Sequence, residues 1–89
     1  MHLSQLLWLN MDSNKLENLN GFAKSFLPKL RKLSLSENNI TEIPEISMPE
    51  LLDFEAEENK IVSIEFLKKC EKIEQVFLNK NEIASFPEL

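Results

Sequence analysis

The chain has 89 residues, 43% of them hydrophobic and 28% charged, which suits one small domain with little core to spare. Its net charge of -5 leaves no basic excess to hold a phosphate backbone, so direct nucleic-acid binding is not expected. Cys70 is the only cysteine; that excludes an internal disulfide framework and points to a reducing, intracellular setting, cytoplasmic or nuclear.

At the N-terminus, Leu3 and the run Leu6 to Leu9 lack a basic flank, a long apolar stretch and a small-residue cleavage site, so they make a poor signal peptide. No segment reaches the length of a membrane span, and no membrane partner is expected. From Leu6 onward the apolar residues fall into a returning register. Leu6, Leu9, Met11, Asn14, Leu16 and Leu19 occupy it first, and Leu30, Leu33, Leu35, Asn38, Ile40 and Ile43 second. Leu51, Phe54, Ala56, Asn59, Ile61 and Ile64 follow, then Ile73, Val76, Leu78, Asn81, Ile83 and Phe86. The asparagines are 24, 21 and 22 residues apart. Short strands are predicted at Leu6 to Met11, Leu30 to Leu35, Leu51 to Ala56 and Ile73 to Leu78, each paired in parallel with the same segment of the next coil. The asparagines sit where the chain turns off the sheet. There an amide can both donate to and accept from backbone groups that the turn leaves unpaired, which predicts a buried structural ladder.

Between the last two strands Ile61, Ile64, Leu67, Cys70 and Ile73 recur at every third residue. An α-helix turns about 100° per residue, so repeated steps of three smear apolar groups around the cylinder; a winding with three residues per turn keeps them on one side. One helical turn within 65–72 is compatible with that spacing.

The pattern Leu-x-x-Leu-x-Leu-x-x-Asn-x-Ile-x-x-Ile resembles the leucine-rich-repeat family. The every-third-residue spacing is similar to its 22-residue class, typified by the regulatory subunit of protein phosphatase 1. Two repeats depart from that class: the first has two extra residues around Gly21 to Pro28, and the second is one residue short and carries Pro44 and Pro49. The resemblance implies an α/β solenoid, a right-handed superhelix with a short parallel sheet on its concave face and irregular or 3₁₀ segments on its convex side. Residues 1–89 then form one segment, with repeats at about 6–29, 30–50, 51–72 and a partial 73–89. Leu3 matches the tail of a preceding coil, as Leu27, Met48 and Cys70 precede their own strands, and Leu89 matches a point halfway around the fourth coil, where Ile46 and Leu67 stand in theirs. This predicts either a piece of a longer array or a minimal array that hides its ends.

On each strand, the residues between inward positions face the open side. They are Trp8, Asn10, Asp12 and Ser13 on the first strand and Lys32, Ser34, Ser36 and Glu37 on the second; Asp53, Glu55, Glu57 and Glu58 on the third and Gln75, Phe77, Asn79 and Lys80 on the fourth. Trp8 and Phe77 are aromatic at positions predicted to meet water, as interface anchors often are; both also lie on the outermost strands, where a neighbouring coil would cover them. Glu42 to Glu58 holds seven carboxylates and no lysine or arginine. That stretch reads either as a docking surface for a basic partner or as a solvated face, and Glu37 beside Glu58 is expected to cost some stability through like-charge repulsion.

Nothing here suggests catalysis, a metal or a cofactor. The carboxylates splay from a sheet rather than converge from a bent loop, His2 stands near the terminus, and no nucleophile and base pair is evident. Cys70 stands at an inward position with Leu27 and Met48 as equivalents, and reads as a small core residue. Lys68, Lys69 and Lys72 read as a solvated convex face, and Asn39-Ile40-Thr41 as a chance match to a glycosylation acceptor.

The expected function is a non-catalytic protein-binding module, regulatory or scaffolding, that uses the concave residues Trp8, Asn10, Asp12, Lys32, Ser34, Ser36, Asp53, Glu55, Glu57, Gln75, Phe77 and Asn79. The alternative is a structural spacer that self-associates through its end faces. The resemblance also implies partners such as a phosphatase catalytic subunit; similar repeats occur in a spliceosomal protein and an axonemal dynein light chain. No motif carries over a particular one.

Overall fold

The computed structural model describes residues 4–23 and 25–84; the readings made above for His2, Leu3, Phe86 and Leu89 lie outside these residues. Four strands, β1 (Trp8–Asn10), β3 (Lys32–Ser34), β5 (Asp53–Glu55) and β6 (Gln75–Phe77), form one parallel sheet in the order β1-β3-β5-β6. A second parallel pair joins β2 (Ser25–Phe26) to β4 (Ile46–Ser47), and an isolated bridge links Glu42 to Ser63. Spacing alone did not indicate this second ladder. Among the described residues the helical segments are 3₁₀, at Asn20–Phe22 and Glu65–Lys69.

The strands are three residues long, shorter than the six predicted, because backbone turns close in on both sides. Before β3, β5 and β6 a three-residue turn brings the chain round: Leu30 N–H donates to Leu27 O (3.3 Å), Leu51 N–H to Met48 O (3.2 Å) and Ile73 N–H to Cys70 O (3.1 Å). Two further bonds, Leu67 N–H to Ile64 O (3.1 Å) and Cys70 N–H to Leu67 O (3.0 Å), extend this i to i−3 pattern back through the 3₁₀ segment. The pattern sets Ile64, Leu67, Cys70 and Ile73 on one side, with the first three buried and Ile73 partly so.

After each strand the chain leaves the sheet through a residue with positive φ: Ser13 (58°), Glu37 (59°), Glu58 (56°) and Lys80 (62°), each followed by one of the spaced asparagines. None is glycine, so each carries left-handed strain of about 1–2 kcal/mol. The asparagine amides offset it. Asn38 Oδ1 accepts the N–H groups of Asn14 (3.0 Å) and Leu16 (2.9 Å), while its Nδ2 donates to Met11 O (3.0 Å) and Leu35 O (2.8 Å). Asn59 spans the next pair of segments, accepting from Ile40 N–H (3.1 Å) and donating to Leu35 O (2.8 Å). Asn81 accepts from Ile61 N–H (3.0 Å) and donates to Ala56 O (2.7 Å). The ladder is buried only in its middle. Asn38 and Asn59 are buried, Asn81 is half-buried, and Asn14 is exposed with its amide donating only to Asp12 O (3.1 Å), because no earlier segment lies beneath it among the described residues.

The core lies behind the sheet. Leu33 and Phe54 point inward from β3 and β5, Leu35 and Ala56 from the residues after them, and Leu30 and Leu51 from the turns before them. Phe66 from the long 3₁₀ segment meets Phe54 edge-on, with ring centroids 5.0 Å apart. Burying one such large apolar side chain stabilises a fold by about 1.5–3 kcal/mol.

Candidate functional surface

The strand register sets the open face in rows. Trp8, Lys32, Asp53 and Gln75 are paired across the sheet, and two residues on, Asn10, Ser34, Glu55 and Phe77 are paired in the same way. A third row, Asp12, Ser36, Glu57 and Asn79, follows where backbone bonds from Ser13 to Ser36, Glu37 to Glu57 and Glu58 to Asn79 continue the ladder past the strands. All twelve positions therefore stand together on one face. With strands about 4.8 Å apart, Trp8 and Phe77 lie on opposite edges, on the order of 16 Å from each other.

The members of this surface differ in what they can offer a partner. Trp8 is 73% exposed and Phe77 40%, both at the outer edges. Ser34, in contrast, is buried; its hydroxyl donates to Asp12 Oδ1 (2.7 Å), and the same oxygen accepts the Ser36 N–H (2.8 Å). Ser34 and Asp12 thus stitch the first two segments together, and the buried Ser34 offers little surface while Asp12 stays partly exposed. The serine is small enough to sink between larger neighbours, so being on the open face does not make it accessible. Ser36 is also partly used, its hydroxyl accepting the Glu57 N–H (3.1 Å).

The acidic stretch is largely answered by lysines on neighbouring segments. Lys32 Nζ lies 2.9 Å from Glu55 and 4.0 Å from Asp53, Lys80 3.4 Å from Glu58, and Lys69 3.2 Å from Glu45, while Lys72 pairs with Glu50. Five of the seven carboxylates between Glu42 and Glu58 therefore have a cation at hand, and among the described residues Glu42 and Glu57 form no ion pair. The expected repulsion between Glu37 and Glu58 is also corrected. Glu37 turns to accept the Ser13 hydroxyl and Glu58 turns to Lys80. Lys69 and Lys72, read from the sequence as simply solvated, hold adjacent segments together, while Lys68 pairs with Glu65 (2.9 Å) within the 3₁₀ segment. Exposed pairs of this kind contribute up to about 1 kcal/mol each.

The charges at the centre of the face are coupled. A hydrogen bond from Lys32 to Glu55, and the Glu55 charge, hold the Lys32 ammonium above its usual range. Asp53 is pushed up as well, first by desolvation and then by the neighbouring Glu55, with Lys32 opposing; its Oδ1 is buried without a hydrogen-bond partner among the described residues. Burial likewise raises the Cys70 thiol. Outside the sheet, Ile43, Pro44, Ile46 and Phe66 line a groove of about 270 Å³ bordered by the Glu45–Lys69 pair. Among the described residues no group of three or more His, Cys, Asp or Glu side chains is placed to hold a metal ion, and no helix is long and apolar enough to cross a membrane.

Sequence spacing did not single out Leu7, which is 48% exposed beside Trp8 yet indistinguishable in sequence from the inward leucines around it, and it placed Lys32 on the open face without showing that Asp53 and Glu55 converge on it. Comparison with family models, curated proteins and solved structures gives no match.

Proposed function

We propose that this chain is a non-catalytic, intracellular leucine-rich-repeat module that binds a protein partner on the open face of its four-stranded sheet. The observation that carries this reading is the placement of Trp8, 73% exposed, and Phe77, 40% exposed, at the two edges of a face whose centre is charged. Large aromatics flanking a polar strip suit a protein surface with two apolar groups and a charged segment between them. The repeating register and the amide ladder support the family assignment, and the single buried thiol suits a reducing compartment.

The pattern of ion pairs refines the electrostatic part. Lys32 already occupies Asp53 and Glu55, so a basic partner gains most at Glu57 and must displace Lys32 to gain elsewhere. Aromatic anchoring is therefore the larger contribution and charge the smaller.

Trp8 is the only tryptophan, so its fluorescence reports directly on the face. Peptides selected from a displayed random library against the immobilised chain are expected to shift Trp8 emission on binding. Trp8→Ala and Phe77→Ala should each weaken binding tenfold or more, about 1.4 kcal/mol. Joint reversal of Asp53, Glu55 and Glu57 to lysine should lower affinity less and flatten its dependence on salt. Ligands whose affinity survives all of these substitutions would place the interface elsewhere.

A further inference from the structure

The two outer strands of the sheet carry complementary halves of one contact. Within the chain, neighbouring segments are joined by a recurring set of bonds. Met11 N–H donates to Ser34 O (2.8 Å), and Arg31 N–H donates back to Leu7 O (2.8 Å). Asn38 Oδ1 then accepts the Leu16 N–H (2.9 Å). At the β6 edge the equivalent groups are the N–H of Leu78, the carbonyl of Glu74 and the N–H of Ile83, and none has a partner among the described residues. At the β1 edge the groups that would meet them are the carbonyl of Asn10, the N–H of Leu7 and Asn14 Oδ1, which are likewise without partners among the described residues.

We propose that a second copy of this chain stacks head to tail on the first, its β1 lying beside β6 and extending the sheet in the same parallel register. Leu78 then donates to Asn10 of the second copy, Leu7 of the second copy donates to Glu74, and Ile83 donates to the amide of Asn14 of the second copy. Every bond repeats one already made inside the chain. The side chains agree with this register. Val76, 38% exposed, meets the half-buried Leu9 and continues the inward row Leu9, Leu33, Phe54, Val76. Glu82 meets Lys15, a pair of opposite charge at the position after each asparagine. Lys72 meets Gln5, as Lys29 already does within the chain at 3.0 Å. None of these neighbours brings like charges together, and the contact is heterologous, so it propagates into a series rather than closing as a two-fold dimer.

Sedimentation velocity of the 89-residue chain from micromolar to millimolar concentration should show weight-average mass rising without a plateau at dimer. Leu7→Pro removes only an outward N–H, and its carbonyl still accepts from Arg31 and Lys32, so the variant should keep the wild-type circular dichroism spectrum and associate at least tenfold more weakly. Should that variant unfold, charge exchange decides: Lys15→Glu should weaken association several-fold, and adding Glu82→Lys should restore it. Oxidation of a mixture of Asn10→Cys and Phe77→Cys chains, both carrying Cys70→Ala, should link unlike copies. A chain that stays monomeric to millimolar concentration, a Lys15→Glu effect that Glu82→Lys fails to reverse, or Asn10→Cys chains linking mainly to themselves would each overturn the proposal.

Discussion

The middle of the sheet and its edges are written in one repeated pattern, yet they pack differently. On β3 and β5, Leu33 and Phe54 are buried, and the side chains of the following Asn38 and Asn59 each join their own segment to the preceding one. On β1 and β6 the same register positions hold Leu9, only partly buried, and Val76, 38% exposed, and the Asn14 side chain bonds only within its own turn. The contrast teaches that in this chain the burial of a repeat position is a property of its neighbours as much as of its own residues.

The largest expected difference lies in the apolar row. Phe54→Ala should cost about 3–5 kcal/mol, enough to leave little folded protein, whereas Val76→Ala should cost less than about 1 kcal/mol. Denaturant melts of the two variants with equal shifts would break the comparison. Next come the amides. Asn38→Ala strands the N–H groups of Asn14 and Leu16 and should cost about 1–3 kcal/mol, while Asn14→Ala and Asn39→Ala should each change stability by a few tenths.

Cys70 sharpens the same contrast kinetically. Its buried thiol, pushed up by desolvation, should react with a thiol reagent many times more slowly in the folded chain than in denaturant, and packing defects in the middle should speed the reaction more than defects at the edges. Comparing labelling rates in Phe54→Ala and Val76→Ala checks this.

A smaller effect is expected at Asp53. Its pKa is raised on folding, so the stability linked to its protonated form is present at low pH and is lost as pH rises through the raised value. Asp53→Asn should therefore gain on the wild type between pH 3 and pH 7, by less than about 1 kcal/mol; melts at both pH values test the sign. The smallest is Glu58→Gly. It relieves a φ of 56° but adds unfolded-chain entropy, for a net gain of at most a few tenths of a kcal/mol, whereas glycine at Glu57 should cost about 0.5–1 kcal/mol.

Spacing made much of the inward set legible: Leu30, Leu33, Leu35, Leu51, Phe54, Ala56, Ile61, Ile64, Leu67 and Cys70 are all buried. It worked there because strand alternation and three-residue winding each tie a side chain's direction to its sequence position. The same logic placed twelve open-face positions together, but not their accessibility. Ser34 sinks into a bond with Asp12, and Lys32 occupies Asp53 and Glu55, through contacts made across segments some twenty residues apart.

Sequence alone therefore determined which residues point inward, where the chain leaves the sheet and which side chains share a face, because these follow from local periodicity and turn chemistry. Tertiary structure decided the rest: the β2–β4 ladder, the pairing of Glu45 and Glu50 with Lys69 and Lys72, and the difference between a buried Asn38 and an exposed Asn14. Each of these depends on which segment lies alongside, and a contact between segments carries no signal in the local pattern of either one.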